Sequence, residues 1–177
     1  KAPVQQTCND YPFVCNSGRV RDQWHTMTRT GKAAKLTAHV SEAFVAIHPN
    51  DAEKLNLVDG QIAQLTSKFG QALLRVQFDQ GQRKGEVFVP MHWNKQFASD
   101  ANINRLFAPV VDPISGQPEL KHAAVAIEAY QADFYAVAYS RHAMQANTEY
   151  WSKAPNQAGE QLLFAGQGEV NDWLDWC

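Results

Sequence analysis

The chain has 177 residues and a mass of 19.8 kDa, which suits one ordinary domain or one domain plus an appendage. Its 16 Lys and Arg residues and 18 Asp and Glu residues give a net charge of −2, which excludes a basic nucleic-acid coat protein. Hydrophobic residues make up 45% of the chain, which excludes a disordered acidic segment, and no apolar run approaches the roughly 20 residues of a membrane span.

The chain starts at Lys1, and its first residues lack the apolar stretch of a signal peptide. A start without Met predicts either a processed protein or a piece of a longer one. The cysteines are odd in number and not spaced like a C-x-x-C zinc site. They are Cys8, Cys15 and Cys177, and we expect free thiols in a reducing compartment.

The first part of the chain has little periodicity. Residues 1–16 are predicted to be an irregular lead-in, and the polar residues 17–32 lack the apolar face of a strand or helix. A β segment is expected at 40–47. Pro49 and the acidic residues after it then predict a short helix at 47–55, although the sequence leaves its N-cap open between two residues.

Several further strands are predicted between turn signals. Their ranges are 62–67, 71–78, 87–90, 123–130 and 131–139. In 71–78 the alternation of side chains is typical of a half-buried strand. Residues 91–122, which we name the second loop, have no period and are long enough to suggest a functional role. Many short strands with one helix and two polar loops predict a small β-barrel.

The first loop, residues 19–32, contains groups suited to a phosphate or pyrophosphate. Its guanidinium groups, hydroxyls and glycine-adjacent amides bind anionic oxygens. These groups belong to Arg19, Arg21, His25, Thr26, Thr28, Arg29, Thr30, Gly31 and Lys32. The alternative is a solvated loop, but Trp24 argues against it because tryptophan normally packs or stacks.

The second loop carries side chains that suit recognition of a heterocycle edge, because amides both donate and accept hydrogen bonds. Asn104, Gln117 and Lys121 could serve either recognition or structure, whereas Asp112 and Ser115 are predicted to be turn formers. The chain contains no G-x-S-x-G, H-E-x-x-H or C-x-x-C motif. We therefore predict a binding module with no catalytic residue and no metal ligand of its own.

Residues 18–32, with the sequence GRVRDQWHTMTRTGK, resemble the C-terminal cofactor domain of molybdopterin oxidoreductases. Only one residue links His25-Thr26 to Thr28-Arg29. In the length of this link the chain resembles the assimilatory nitrate reductase catalytic subunit more than formate dehydrogenases, which usually have a longer link. The resemblance continues, in order, through 47–55, 87–93, 102–106 and 112–121.

The resemblance implies a mainly β fold with a few short helices, a double-psi β-barrel. It implies a lead-in at 1–16, a molybdopterin dinucleotide-binding domain at 17–130 and a C-terminal extension at 131–177. Residues carried over as cofactor contacts are Ser17, Gly18, Arg19, Trp24, His25, Thr26, Thr28, Arg29, Thr30, His92, Asn104, Gln117 and Lys121.

The resemblance also implies a molybdenum bis-molybdopterin guanine dinucleotide cofactor, of which the protein supplies placement and electrostatics. The [4Fe–4S] cluster of such enzymes would lie in a missing N-terminal part, because the cysteines here are in the wrong place. Expected partners are the remaining domains of the same polypeptide and an electron donor: ferredoxin, flavodoxin or an NADH-linked reductase subunit. No nucleic-acid or membrane partner is expected. We expect a cytoplasmic location. The chain alone should not reduce nitrate to nitrite.

Two alternatives stay open from the sequence. The domain could come from a formate dehydrogenase-like molybdenum or tungsten oxidoreductase. The chain could instead be a stand-alone nucleotide-binding β-barrel without redox activity.

Overall fold

The computed structural model describes residues 2–170 and the backbone of Leu174–Asp175. The chain divides into two compact units. The first, the barrel unit, contains the residues up to Gly18, Phe44–Met91 and Ile103–Tyr130. The second unit contains Arg19–Ala43, His92–Asn102 and the residues from Gln131 onward.

Six strands of the barrel unit close into a barrel. They are β1 (Phe13–Gly18), β2 (Phe44–Ile47), β3 (Ile62–Thr66), β4 (Gln71–Phe78), β5 (Glu86–Pro90) and β6 (Ala123–Ala129). Their order around the barrel is β1-β5-β2-β4-β3-β6, with β6 pairing back onto β1. The pairs β1/β5 and β2/β4 are parallel and the others antiparallel. This crossed order with two parallel pairs confirms the predicted double-psi barrel class.

Strand β1 begins at Phe13, within the stretch that the sequence predicted to be irregular. Phe13 and Cys15 are buried on the barrel's interior side, while Asn16 is exposed. The strand has only six residues, which are too few to show this period in the sequence. Its parallel partner β5 lies about 70 residues away, so tertiary pairing defines the strand.

Strand β4 lies where it was predicted, but it is more deeply buried than a half-exposed strand. Ala72, Leu73 and Leu74 are consecutive and all buried. β3 pairs with β4 along 71–75 and β2 along 75–78, and the burial of three consecutive residues shows that both faces of β4 are covered at 72–74. The alternation prediction for this strand was therefore wrong in its first half.

The predicted helix is α2 (Pro49–Lys54), which follows a second short helix, α1 (Ala34–Thr37), in chain order. His48 is the N-cap of α2, since Nδ1 of His48 accepts a hydrogen bond from the Asn50 N–H at 3.1 Å. The structure thereby resolves which residue caps the helix. Pro49 occupies the first turn, where its missing N–H costs nothing.

The second unit contains strands that the sequence did not predict beyond 131–139. They are β7 (Phe134–Ser140), β8 (Gln145–Ala146), β9 (Tyr150–Asn156), β10 (Gly159–Gly166) and β11 (Leu174–Asp175). β10 lies between β7 and β9 in an antiparallel sheet, and β8 pairs with β11. Met144, Leu162 and Phe164 are buried at the core of this unit. The mixed composition of β9, which includes Pro155, hid this strand from a period-based prediction.

Cys8 and Cys15 are free thiols, as expected, and Cys177 lies outside the described residues. Burial inside the barrel raises the pKa of the Cys15 thiol to about 12. No helix among the described residues is long and apolar enough to cross a membrane.

Candidate functional site

The backbone of the first loop adopts conformations that favour anion binding. His25 and Met27 both have left-handed conformations, with φ of 44° and 60°. Such positive φ values are uncommon for residues other than glycine, and they turn neighbouring N–H groups toward a common side. The turn is closed by a hydrogen bond from the Met27 N–H to the Trp24 carbonyl at 2.9 Å, and the Met27 side chain is buried beneath it.

Several backbone N–H groups of the first loop donate no hydrogen bond within the described chain of this unit. They belong to His25, Thr26, Thr28, Arg29 and Thr30. Except for the partly exposed Thr30, all of these residues are exposed, so the groups are available to a ligand. A run of free amides beside hydroxyl and guanidinium groups is a donor set for phosphate oxygens.

The positive charges of the first loop are not equivalent. The Arg21 guanidinium is paired with Asp22 at 3.1 Å, and Asp22 also contacts His39 at 2.7 Å. The hydrogen bond from Arg21 is the largest factor holding the pKa of Asp22 below its usual range. Arg29 forms no ion pair within the described part of this unit, so its charge is available to an anion.

Trp24 is 57% exposed, but it stacks as the sequence suggested. The Arg19 guanidinium lies 4.8 Å from the centroid of its ring, and the His25 ring meets it edge-on at 4.6 Å. A cation over an indole face is held by the ring quadrupole. Trp24 therefore fixes the Arg19 charge at the start of the loop.

Gln23 is a buried residue of the first loop that the site prediction missed. Its Oε1 accepts a hydrogen bond from the Thr30 hydroxyl at 2.7 Å, and that hydroxyl accepts one from the Trp24 N–H at 3.2 Å. Its Nε2 is buried and has no hydrogen-bond partner among the described residues. Unsatisfied buried donors are uncommon and mark places where a partner group is missing. Gln23 belongs to no motif, so no pattern in the sequence points to it.

His92 and Asn94, which belong to the second loop, form hydrogen bonds with the backbone of the first loop. The Val20 N–H donates to Nε2 of His92 at 3.0 Å, and Nδ1 of His92 lies 2.6 Å from the His25 carbonyl oxygen. Nδ2 of Asn94 donates to the Thr26 carbonyl at 3.2 Å. His92 is fully buried, and both of its ring nitrogens are occupied by loop backbone. In this structure His92 contacts the loop rather than any open surface.

A cavity of about 330 Å³ borders the C-terminal end of the first loop. Gly31 and Lys32 line one side, and Phe97, Lys153 and Glu160 line others. Its volume lies at the lower end of the range for small-molecule sites. The two ammonium groups outnumber the one carboxylate, which favours an anionic occupant.

In the barrel unit the structure brings Ser17 and Lys121 together. The Ser17 hydroxyl donates to the Leu120 carbonyl, and Nζ of Lys121 donates to the Ser17 carbonyl. Gly18 follows at the end of β1, where a Cβ atom would lie 2.6 Å from Cε2 of Phe88. Close packing against Phe88 therefore accounts for a glycine at this position.

The other predicted barrel-unit residues lie on exposed turns. Asn104 is exposed in a 3₁₀ turn, Ile103–Leu106. Gln117 is exposed, and its hydrogen bonds in the described part of the chain stay within its own turn, to residues 112, 115 and 118. Oδ1 of Asp112 accepts bonds from the Ile114 N–H and from both donors of Ser115, which confirms the turn role predicted for Asp112 and Ser115.

Comparison with known proteins finds a family match that includes both loops. Residues 13–124 match the family described as "Molydopterin dinucleotide binding domain". A nitrate reductase of Klebsiella oxytoca is 43% identical over 169 residues, which is 94% of this chain and 20% of that protein. The F420-dependent formate dehydrogenase subunit alpha of Methanocaldococcus jannaschii is 34% identical over 119 residues, 67% of this chain and 17% of its own. The chain thus spans about a fifth of the length of these relatives.

Among solved structures, the acetylene hydratase of Pelobacter acetylenicus superposes with a TM-score of 0.60 over 72% of this chain and 20% of its own. At 17% sequence identity this likeness concerns the fold alone. The family match covers the whole barrel up to the start of β6, together with the first loop and the second. The chain therefore belongs to the molybdopterin dinucleotide-binding domain family of molybdopterin oxidoreductases.

Proposed function

We propose that this chain is the cofactor-binding domain of a molybdenum-dependent nitrate reductase and holds a molybdopterin guanine dinucleotide through its first loop. The observation that carries the proposal is a set of backbone N–H groups in the first loop and the Arg29 guanidinium beside them, none of which has a partner in the described part of this unit. The N–H groups are those of His25, Thr26, Thr28, Arg29 and Thr30. These are donors without acceptors in a chain of net negative charge. A pyrophosphate supplies the acceptor oxygens that such a loop lacks.

The donor set of this chain fits a dinucleotide. The loop amides, Arg29 and the hydroxyls of Thr26 and Thr28 suit the pyrophosphate. When bound, the molybdenum of the cofactor supplies the redox chemistry that converts nitrate to nitrite, and this chain supplies binding and orientation. No group of three metal-ligating side chains occurs among the described residues, so the metal would be held by the pterin and by other parts of the enzyme.

We also propose what the rest of the enzyme contains. Because the relatives are about five times as long, we expect this chain to act within a longer polypeptide that carries a [4Fe–4S] cluster. Ferredoxin, flavodoxin or an NADH-linked subunit would deliver electrons to it in the cytoplasm. By itself the chain would be inactive.

Nitrate is favoured as the substrate over formate. The nitrate reductase match extends over 94% of the chain, including most of the C-terminal extension, whereas the formate dehydrogenase match covers 67% at lower identity. The short link between Thr26 and Thr28 supports the same choice. The formate dehydrogenase match keeps that reaction as the second candidate.

The test uses the longer polypeptide that contains this chain, purified with its cofactor. Mild acid hydrolysis should release GMP in proportion to the molybdenum content, and reduced enzyme should turn over nitrate but not formate. Formate oxidation without nitrate reduction would select the second candidate. Absence of any longer polypeptide, or of a bound pterin dinucleotide, would contradict the proposal.

A further inference from the structure

His92 has an unusual set of hydrogen bonds for a residue carried over as a cofactor contact. It is fully buried, and it bridges two points of the first loop that lie five residues apart. The Val20 N–H points at one ring nitrogen and the His25 carbonyl oxygen lies against the other. No ring atom is left to reach a ligand.

The two bonds fix the protonation state of the ring. The Val20 N–H requires an acceptor, so Nε2 carries no proton, and the His25 carbonyl requires a donor, so Nδ1 carries it. Only the neutral Nδ1–H tautomer satisfies both partners. A charged imidazolium would place a second N–H against the Val20 N–H.

The His92 bond also fixes one peptide group of the loop. Because a trans peptide directs its C=O and N–H to opposite sides, holding the His25 carbonyl against His92 turns the Thr26 N–H away from it. Asn94 holds the next carbonyl, that of Thr26, in the same manner. The Thr26 N–H is one of the free donors of the loop.

We propose that His92 is a positioning residue: its neutral Nδ1–H form orients the His25–Thr26 peptide so that the Thr26 N–H is presented to the anion. The inference rests on the proposed function for the nature of the anion, but not for the orientation of the peptide. It replaces a direct cofactor contact by His92 with an action through the loop backbone. Asn94 is the second holding point.

The orientation should depend on pH. Burial is the largest factor that lowers the pKa of His92, and the nearby charges of Arg19 and His25 lower it further, against the opposing hydrogen bond to the His25 carbonyl. These two groups, both on the first loop, are the titratable groups that act on the ring. The neutral state is therefore kept through the ordinary histidine value of 6.5 and lost only below it.

The test measures peptide orientation and anion affinity separately in the 177-residue chain. In the wild type, nitrogen NMR of the ring should show the Nδ1–H tautomer at pH 7, and inorganic pyrophosphate should shift the Thr26 amide signal. His92→Phe, which keeps a ring but no nitrogen, should move the Thr26 amide signal without ligand and weaken pyrophosphate binding about 10-fold. Acidification should move the Val20 and Thr26 amides together with the His92 ring.

Two further variants keep the result interpretable. Asn94→Asp retains the acceptor for the Gln96 N–H but places an oxygen against the Thr26 carbonyl, so it should also weaken pyrophosphate binding. If His92→Phe does not fold, the result with Asn94→Asp tests the inference instead. His48→Phe removes a helix-capping histidine of the barrel unit and should leave affinity unchanged.

A folded His92→Phe chain with the wild-type Thr26 signal and wild-type affinity would overturn the inference. If the wild type binds no pyrophosphate but His92→Phe still moves the Thr26 amide, the proposed function fails and the positioning role stands.

Discussion

Gly85 donates its backbone N–H to Oδ2 of Asp51 over 2.6 Å and so ties the turn before β5 to helix α2. Asp51 is only 3% exposed, and its other oxygen accepts a bond from Lys54 at 2.8 Å. Burial alone would raise the pKa of this carboxyl group, but the bonds from Lys54 and Gly85 outweigh it and lower the pKa. Asp51 is thus a charged connection between a helix and a turn of the barrel unit.

Asp51→Asn should destabilise the chain by about 1–3 kcal/mol at pH 7, because the bonds to a charged acceptor become bonds to a neutral one. The folded pKa lies below the unfolded value of 3.8, so the stabilisation is present above pH 3.8 and is lost as the pH falls through the folded pKa. Urea unfolding at several pH values measures the difference. Glu53→Gln, at an exposed position of the same helix, is the control and should change little. A pH-independent difference between Asp51→Asn and the wild type would contradict this account.

The two described cysteines should differ sharply in reactivity. Burial raises the pKa of Cys15 to about 12 and shields the thiol, while Cys8 is exposed. The thiolate is the reactive form. Iodoacetamide at pH 8 under native conditions should therefore alkylate Cys8 and spare Cys15, and peptide mass spectrometry reads both sites. Equal labelling of the two in folded protein would show that the barrel opens readily, and labelling in urea is the positive control.

Gly31 should tolerate no side chain. A Cβ atom there would lie 2.7 Å from Cζ of Phe97 and 2.9 Å from Cβ of Met27. Gly31→Ala should cost about 1–3 kcal/mol of folding free energy through overpacking. The double variant Gly31→Ala with Phe97→Leu should recover part of this loss, because it removes the ring that the new methyl group meets. Denaturant unfolding of four chains, the wild type, Gly31→Ala, Phe97→Leu and the double variant, measures the coupling, and a strictly additive result would show that Phe97 is not the obstacle.

The sequence predicted the barrel well because its strands are short, apolar and separated by turn residues. It also placed helix α2, where Pro49 and the acid residues are local signals. It did not predict β9 and β10, whose burial depends on pairing with each other and with β7. Nor could it show that the chain passes from one compact unit to the other between Gly18 and Arg19.

The site prediction rests on the chemistry of single residues, whereas the structure adds features that depend on geometry. Arginine and threonine in a turn indicate an anion loop from composition alone. The free N–H groups arise from the left-handed residues His25 and Met27, which have no sequence signature. His92 contacts the loop backbone because the fold buries its side chain. Gln23 was not predicted, because the lack of a hydrogen-bond partner for its side-chain nitrogen among the described residues can be seen only in the structure.

The first loop as an anion site is the central claim, and calorimetric titration of the 177-residue chain with GDP tests it most directly. Arg29→Ala should weaken binding about 10-fold, because a free guanidinium is removed. Arg21→Ala is the matched control and should have little effect, since that charge is already paired with Asp22. Binding that follows this order and weakens with added salt is the predicted result. Failure of the wild type to bind GDP, or equal losses in both variants, would contradict the account.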